Sequence, residues 1–292
     1  MIKFWKELET ELKLRGFSNQ TIKSYTFQNQ KLIDFLNSSN TPTEYQKSLV
    51  SKGSKRTPQD VTNADLRSYL AFLLGDKGLS PASVNLAISA LKFYYVEVLE
   101  KDIFKRIKHP KLEKKLPVVL TKDEIKRMID LTKNKKHRLL LELLYSTGLR
   151  VSEAVNIRLK DIQVDEKKAF VKYGKGKKER FVKLSNKFIQ HFKSYVKKRK
   201  TTSIYLFKSR KGSITTRQAQ RIVKNAALRA NIAKKVFCHA LRSTFATHLL
   251  DSGVDVRIIQ ELLGHSRLST TERYTKVSKE RLMEIRNPLD SL

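Results

Sequence analysis

The chain has 292 residues, enough for two domains of ordinary size that each bury a core without disulfides or metal. Its 61 Lys and Arg against 28 Asp and Glu leave a formal charge of +33, a self-repulsion that a polyanion relieves, so nucleic acid is the expected partner. No run approaches the roughly 20 apolar residues that span a bilayer, residues 1–15 lack the apolar core of a signal peptide, and the lone Cys238 excludes an internal disulfide and a cysteine-based zinc cluster; a cytoplasmic protein with no membrane partner is expected.

In chain order, the first hundred residues carry apolar stripes at helical spacing. Phe4, Leu8 and Leu12 mark a first helix. Ser18 or Asn19 caps a second, with Ile22, Tyr25, Leu32 and Phe35 on its stripe and an end near Asn37. A polar stretch runs from Ser38 to about Asp60. Asn63 begins a third helix through Leu66, Tyr69, Leu70 and Leu73, and Ser80 with Pro81 begins a fourth through Val84, Ile88, Leu91 and Tyr95. These helices predict a small all-helical domain over 1–104, and the basic, proline-containing residues 105–119 that follow read as a linker.

Thr121 with Glu124 forms a capping-box pattern that opens a second domain over 120–292. Helical spacing covers Leu139 to Tyr145 and Val151 to Ile157, and then the period changes. Ala169, Val171 and Tyr173 alternate with other residues, a glycine-lysine turn follows, and Phe181, Val182 and Leu184 resume an extended pattern, which predicts a β-hairpin. Helix returns beyond Ser185, interrupted near 209–213. The fold class is mainly α with a small β-hairpin or sheet, in two domains.

Cutting a phosphodiester without metal needs cations on the non-bridging oxygens, a nucleophile, and an acid for the departing alkoxide. Arginine suits the first task, because its planar fork stays protonated and matches two phosphate oxygens. Arg150 follows Thr147-Gly148-Leu149 at a predicted helix start, where orphan N–H groups also favour an anion, and Glu153 one turn on is spaced to hold it. The same spacing also describes an ordinary surface ion pair. His239 and Arg242 are one turn apart, so both project from one side of a helix while Leu241, Phe245 and Leu249 form its buried stripe.

His265 follows Gly264, and Lys175 sits between Gly174 and Gly176 at the hairpin tip, with Lys177 and Lys178 as alternatives for delivering an ammonium. Tyr274, nine residues beyond His265, is the candidate nucleophile. At pH 7 only about one phenol in a thousand is ionised, so neighbouring cations must recover roughly 4 kcal/mol. Cys238, directly before His239, is a second nucleophile to weigh, although a free cysteine ordinarily serves as a small buried hydrophobe.

Taken together, the strings at 147–153, 174–176, 239–242 and 262–265 with Tyr274 resemble the tyrosine recombinase, or λ-integrase-like, family, and most closely its archaeal Xer branch. The resemblance covers the whole chain. It implies an N-terminal SAM-like core-binding domain followed by a catalytic domain with the DNA breaking-rejoining fold. It also implies Tyr274 as the nucleophile of a 3′-phosphotyrosyl intermediate, Arg150 and Arg242 as a phosphate clamp, and Lys175 as general acid. His239 would act as base towards Tyr274, His265 would bind the phosphate, and Glu153 would orient the site. No cofactor, metal or ATP is implied.

The partner it implies is double-stranded DNA with specific recombination sites, acted on by a tetramer assembled there, with a C-terminal tail over 278–292 that docks on a neighbouring subunit; packing in cis is the other possibility. The compact length favours Xer-type resolution of chromosome dimers over integration of a mobile element. A type IB topoisomerase shares the phosphate chemistry, and a non-catalytic DNA-binding protein would account for the charge alone. Cys238 stands where many relatives carry proline, and Ser243 is a variant of a position often held by histidine.

Overall fold

Side-chain caps set where most of the helices begin in the computed structural model, which describes residues 5–38, 55–112, 117–172, 179–199, 202–210 and 212–264. The chain divides into two compact units, Met1–Lys114 and Lys115–Leu292.

In the first unit, α1 (Lys6–Leu14) is followed by α2 (Asn19–Asn37), whose start is fixed by Ser18 Oγ accepting from the Thr21 N–H. The third helix, α3 (Asn63–Leu74), begins in a capping box between Thr62 and Asp65. The fourth, α4 (Pro81–Lys92), starts after Ser80 with proline in its first turn and runs on into a π-helical turn, Phe93–Val98. These are the four helices that the spacing predicts. Phe4 and residues 39–54 of the expected polar stretch lie outside the described residues.

Leu8, Leu12, Leu32, Leu66, Ile88 and Leu91 share one buried core with Trp5. Trp5 also reaches a partner for its indole N–H, the Gln30 side-chain carbonyl at 2.7 Å. Residues 105–112, read as linker, run against this unit: the Asn63 amide donates to the Lys105 carbonyl at 2.9 Å, the Asn85 amide to Pro110 at 3.1 Å, and Ile107 packs on the core.

The second unit opens with α5 (Lys122–Asp130) on the Thr121–Glu124 capping box, then α6 (Lys135–Thr147) and the short α7 (Val151–Asn156). A three-stranded antiparallel sheet follows: β1 (Ile162–Gln163), β2 (Lys168–Val171) and β3 (Arg180–Lys183), in that order across the sheet. The predicted hairpin is β2–β3, with Ala169 opposite Val182 and Val171 opposite Arg180. The third strand, β1, is a two-residue addition that such short alternation does not announce.

After α8 (Asn186–Lys197), the predicted interruption near 209–213 is a second hairpin, β4 (Lys208–Ser209) and β5 (Gly212–Ser213). Three helices complete the described part: α9 (Thr216–Arg229), α10 (Cys238–Asp251) and α11 (Val256–Leu263). The result is a mainly helical fold with small sheets. Helices α6 and α10 are braced by Tyr145 Oη and His248 Nδ1, 2.9 Å apart. Among the described residues no helix is long and apolar enough to cross a membrane.

Asp65 is the most exacting polar group of the first unit. It is fully buried, and its carboxylate accepts from Arg56 at 2.7 and 2.8 Å, from the Thr62 N–H at 2.9 Å and from the Thr62 hydroxyl at 2.8 Å. Asp65→Ala removes a cap and the carboxylate on which Arg56 closes, so the first unit is expected to lose about 2–4 kcal/mol. The single tryptophan, Trp5, lies in that unit's core, so its fluorescence in urea reads the loss directly; an unchanged midpoint would show that the network adds no net stability.

Candidate active site

The Thr147–Arg150 string is a helix end and a helix start joined by one left-handed residue. Gly148 closes α6 at φ +61°, its N–H bonded to Leu144 O, and Arg150 in extended conformation begins α7. Glycine is required at 148 for a second reason. A Cβ there would lie 2.5 Å from Phe245 Cδ1 and 2.7 Å from Leu263 Cδ2, inside any tolerable contact.

Glu153, one turn along α7, is buried. Its carboxylate accepts from the Arg150 backbone N–H at 2.8 Å and from Arg150 Nη1 at 2.9 Å. Arg180 of β3 grips the same carboxylate with two further bonds, Nη1 at 3.1 Å and Nη2 at 2.9 Å. The surface ion pair that the Arg150–Glu153 spacing also allows is therefore not what forms.

Arg242, one helical turn after His239, is carried into the interior by α10 and is only 1% exposed, while His239 stays exposed near the helix start. Arg242 Nη1 donates to Gly148 O and Nη2 to Leu263 O, both at 2.7 Å. Arg150 Nη2 donates to Gly264 O at 3.1 Å, and Arg180 Nε to Leu262 O at 3.0 Å. Three guanidiniums from three segments thus meet at three consecutive carbonyls. Those carbonyls belong to the last turn and cap of α11, where intrahelical donors run out and the helix dipole is negative.

The buried side of α10 is wider than its spacing predicts. Leu241 is buried, but Phe245 and Leu249 are half-buried and pack on a small separate cluster of Ala246, Leu250, Ile259 and Leu263. Residues 240–244 are all buried instead, because the helix runs through the core of its unit rather than along its edge.

Electrostatics follow the geometry. Burial works to raise the Glu153 carboxyl, but the bonds and charge of Arg180, with the backbone and side chain of Arg150, outweigh it, and its pKa falls below the usual 4.5. Burial pushes the Cys238 thiol up to about 11, so it stays protonated and is a poor nucleophile. Among the described residues no three His, Cys, Asp or Glu side chains gather as a metal-binding group. Arg150, Arg180 and Arg242 against Glu153 leave this cluster two positive charges in surplus, which is suited to an anion with the double-oxygen face of a phosphate.

Of the candidate residues, Arg150, Glu153 and Arg242 come together here. Lys175, His265 and Tyr274 lie outside the described residues. Arg180 was not foreseen, although strand parity carries the signal. Arg180, Val182 and Leu184 share one face, the latter two are buried, and a guanidinium on an inward face calls for a buried carboxylate.

This guanidinium cluster lies in a mainly helical unit that follows a separate helical unit in the chain, and each of the two matches a family model. Residues 118–281 match the Phage integrase family, and residues 4–104 match the Phage integrase, N-terminal SAM-like domain. The chain belongs to this family and is a tyrosine recombinase.

It is 37% identical to tyrosine recombinase XerA of Pyrococcus horikoshii over 96% of this chain and 90% of that one. It is 33% identical to tyrosine recombinase XerD of Oceanobacillus iheyensis, over 93% and 92%. A crystal structure of XerA recombinase superposes with a TM-score of 0.54 at 30% identity, over 97% of this chain and 96% of that one. A pre-cleavage complex of XerH site-specific recombinase with its difH substrate shares the fold, with a TM-score of 0.69 at 24% identity over 94% and 82%.

Two outcomes follow from the cluster. Gly148→Ala forces both a left-handed alanine and a clash with Phe245 and Leu263, and is expected to destabilise the second unit by about 2–4 kcal/mol in thermal or urea unfolding; wild-type stability would mean that the turn relaxes freely. Because the Glu153 pKa is depressed on folding, the stability it contributes is present above 4.5 and is lost as the pH falls through its lower folded value. Glu153→Gln should therefore be less stable than wild type at neutral pH and show a flatter fall in melting temperature below pH 4.5; parallel acid limbs would contradict this.

Proposed function

We propose that the chain is a site-specific recombinase that cuts and rejoins DNA strands through a 3′-phosphotyrosyl intermediate, in the manner of Xer proteins that resolve chromosome dimers. In this reading Arg150 and Arg242 hold the scissile phosphate between them. The Tyr274 phenol attacks phosphorus, passing its proton to His239, and the bond to the 5′ oxygen breaks as Lys175 protonates that oxygen. His265 donates to a phosphate oxygen, and Glu153 orients Arg150. A 5′ hydroxyl from the partner strand then reverses the step. The phosphodiester bond energy is retained in the tyrosyl ester, so no ATP is consumed.

One observation carries this reading. Arg150 and Arg242, 92 positions apart in sequence, donate to the adjacent carbonyls of Gly264 and Leu263, at the point where the chain leaves α11 towards His265 and Tyr274. Arginines fixed in that way are pre-aimed donors, the arrangement that stabilises charge developing on a phosphate in the transition state. The charge of +33 supports double-stranded DNA as the partner. A tetramer, with residues 278–292 docking on a neighbouring copy, supplies the four sites that exchange between two duplexes requires. The place of action is the cytoplasm, where the chromosome is. Coverage of at least nine-tenths of either chain in the XerA and XerD relatives supports the Xer role over integration of a mobile element.

Tyr274→Phe is expected to keep DNA binding and to lose the detergent-resistant covalent adduct on genomic DNA of the source organism. Adduct formation by the wild-type chain should persist in EDTA. An adduct that survives in Tyr274→Phe overturns the nucleophile assignment, and a strict divalent-metal requirement overturns the arginine clamp. Sequencing the adduct positions locates the recombination site. A two-site recombination assay on it, run beside supercoil relaxation, separates strand exchange from resealing by a topoisomerase.

A further inference from the structure

Arg180 lies on β3, outside every motif that points to the chemistry, yet it grips both oxygens of the cluster's buried carboxylate. Two of its N–H groups meet the two oxygens of Glu153, and a third meets Leu262 O. Glu153 Oε1 accepts from Arg150 Nη1 and Arg180 Nη1; Oε2 accepts from the Arg150 N–H and Arg180 Nη2. Four donors on two oxygens fill the capacity of a carboxylate, so it has one orientation open to it. Arg150 inherits that orientation, because its Nη1 donates to the fixed Oε1 and its Nη2 is tied to Gly264 O.

The exposures of the two arginines differ in the same sense. The Arg180 side chain is 13% exposed and that of Arg150 is 25% exposed, so Arg180 stands behind Glu153 while Arg150 faces outward. From this geometry we infer that Arg180 is a positioning residue for DNA cleavage: it locks Glu153, and through Glu153 it aims Arg150 at the scissile phosphate. The inference rests on the recombinase reading above. It also explains why β3 carries arginine there. Lysine has the charge but lacks the fork, and cannot span both carboxylate oxygens and a carbonyl at once.

Removing Arg180 leaves a distinct signature. Burial still works to raise the Glu153 carboxyl, and the largest influence holding it down is gone. The groups that remain around it are Arg150 at the start of its own helix, and Arg158, Asp161 and Lys172 lining the cleft beside it. A Glu153 that takes up a proton no longer holds Arg150 by charge, so cleavage should fail at a higher pH than in the wild type.

The test uses the full chain and sheared genomic DNA of its source organism, with the initial rate of covalent adduct formation followed across pH. Binding to a short duplex of arbitrary sequence is measured alongside. Arg180→Ala is expected to slow adduct formation by about 10- to 100-fold while binding stays within about twofold, and to move the acid limb of the rate upward. Arg180→Lys should recover only part of the rate, and adding Glu153→Gln to Arg180→Ala should abolish the shifted limb.

If Arg180→Ala no longer unfolds cooperatively, Arg180→Lys and Arg180→Gln are held to the same two criteria of a slowed rate and a raised acid limb. A wild-type rate and limb in the variants overturn the inference, as does a slower rate with an unmoved limb, since a purely structural role would produce that. Wild-type protein that binds DNA and never forms an adduct, like Tyr274→Phe, overturns this inference together with the recombinase reading. Normal adducts in the wild type, lost in Arg150→Ala but unaffected by Arg180→Ala, overturn the role of Arg180 alone.

Discussion

The end of α11 is the point on which the second unit's arginine cluster depends. Leu262, Leu263 and Gly264 offer carbonyls that a helix cannot satisfy within itself, and Arg180, Arg242 and Arg150 satisfy them in that order. A hydrogen bond from a charged donor contributes about 1.5–3 kcal/mol in a buried setting, so three of them fix three segments far apart in sequence against one another. The segments are the α6–α7 turn, strand β3 and helix α10. The same bonds that hold the fold together also aim the guanidiniums, so stability and positioning are one constraint here.

Bringing three guanidiniums together needs a counter-charge, and Glu153 supplies it from the first turn of α7. A buried carboxylate with one arginine would be an expensive group to desolvate. With two arginines and a backbone N–H it is saturated and stays ionised. Gly148 is what lets these parts approach, because Phe245 and Leu263 occupy the space where any side chain would go.

Much of this was legible in the sequence, and what was missed shares a cause. Helix starts were readable because Ser18, Thr62, Ser80 and Thr121 cap their own helices, and caps act within one turn. The Arg150–Glu153 pair was readable because helical spacing is local too, whereas the expectation that His239 and Arg242 project together from one side meets a buried Arg242 and an exposed His239. Arg180 was missed because its partners, Glu153 and Leu262, are 27 and 82 positions away, and only inward strand parity hints at them. The stripe over Phe245 and Leu249 was misassigned for a related reason. A helix threaded through a core is buried on most sides, and periodicity marks one face of a helix, not how many faces are covered.

The surplus of positive charge therefore works at two ranges. The +33 of the whole chain acts over roughly a Debye length and draws in any polyanion, without choosing a phosphate. In the proposed reading the cluster around Glu153 works at contact distance, where a planar fork held in one orientation matches the two oxygens of a phosphate. A lysine-rich surface could be rebuilt at many positions and still attract DNA. The three arginines cannot be exchanged in the same way, because each gives part of its fork to a particular carbonyl, and Arg180 gives the rest of its fork to Glu153.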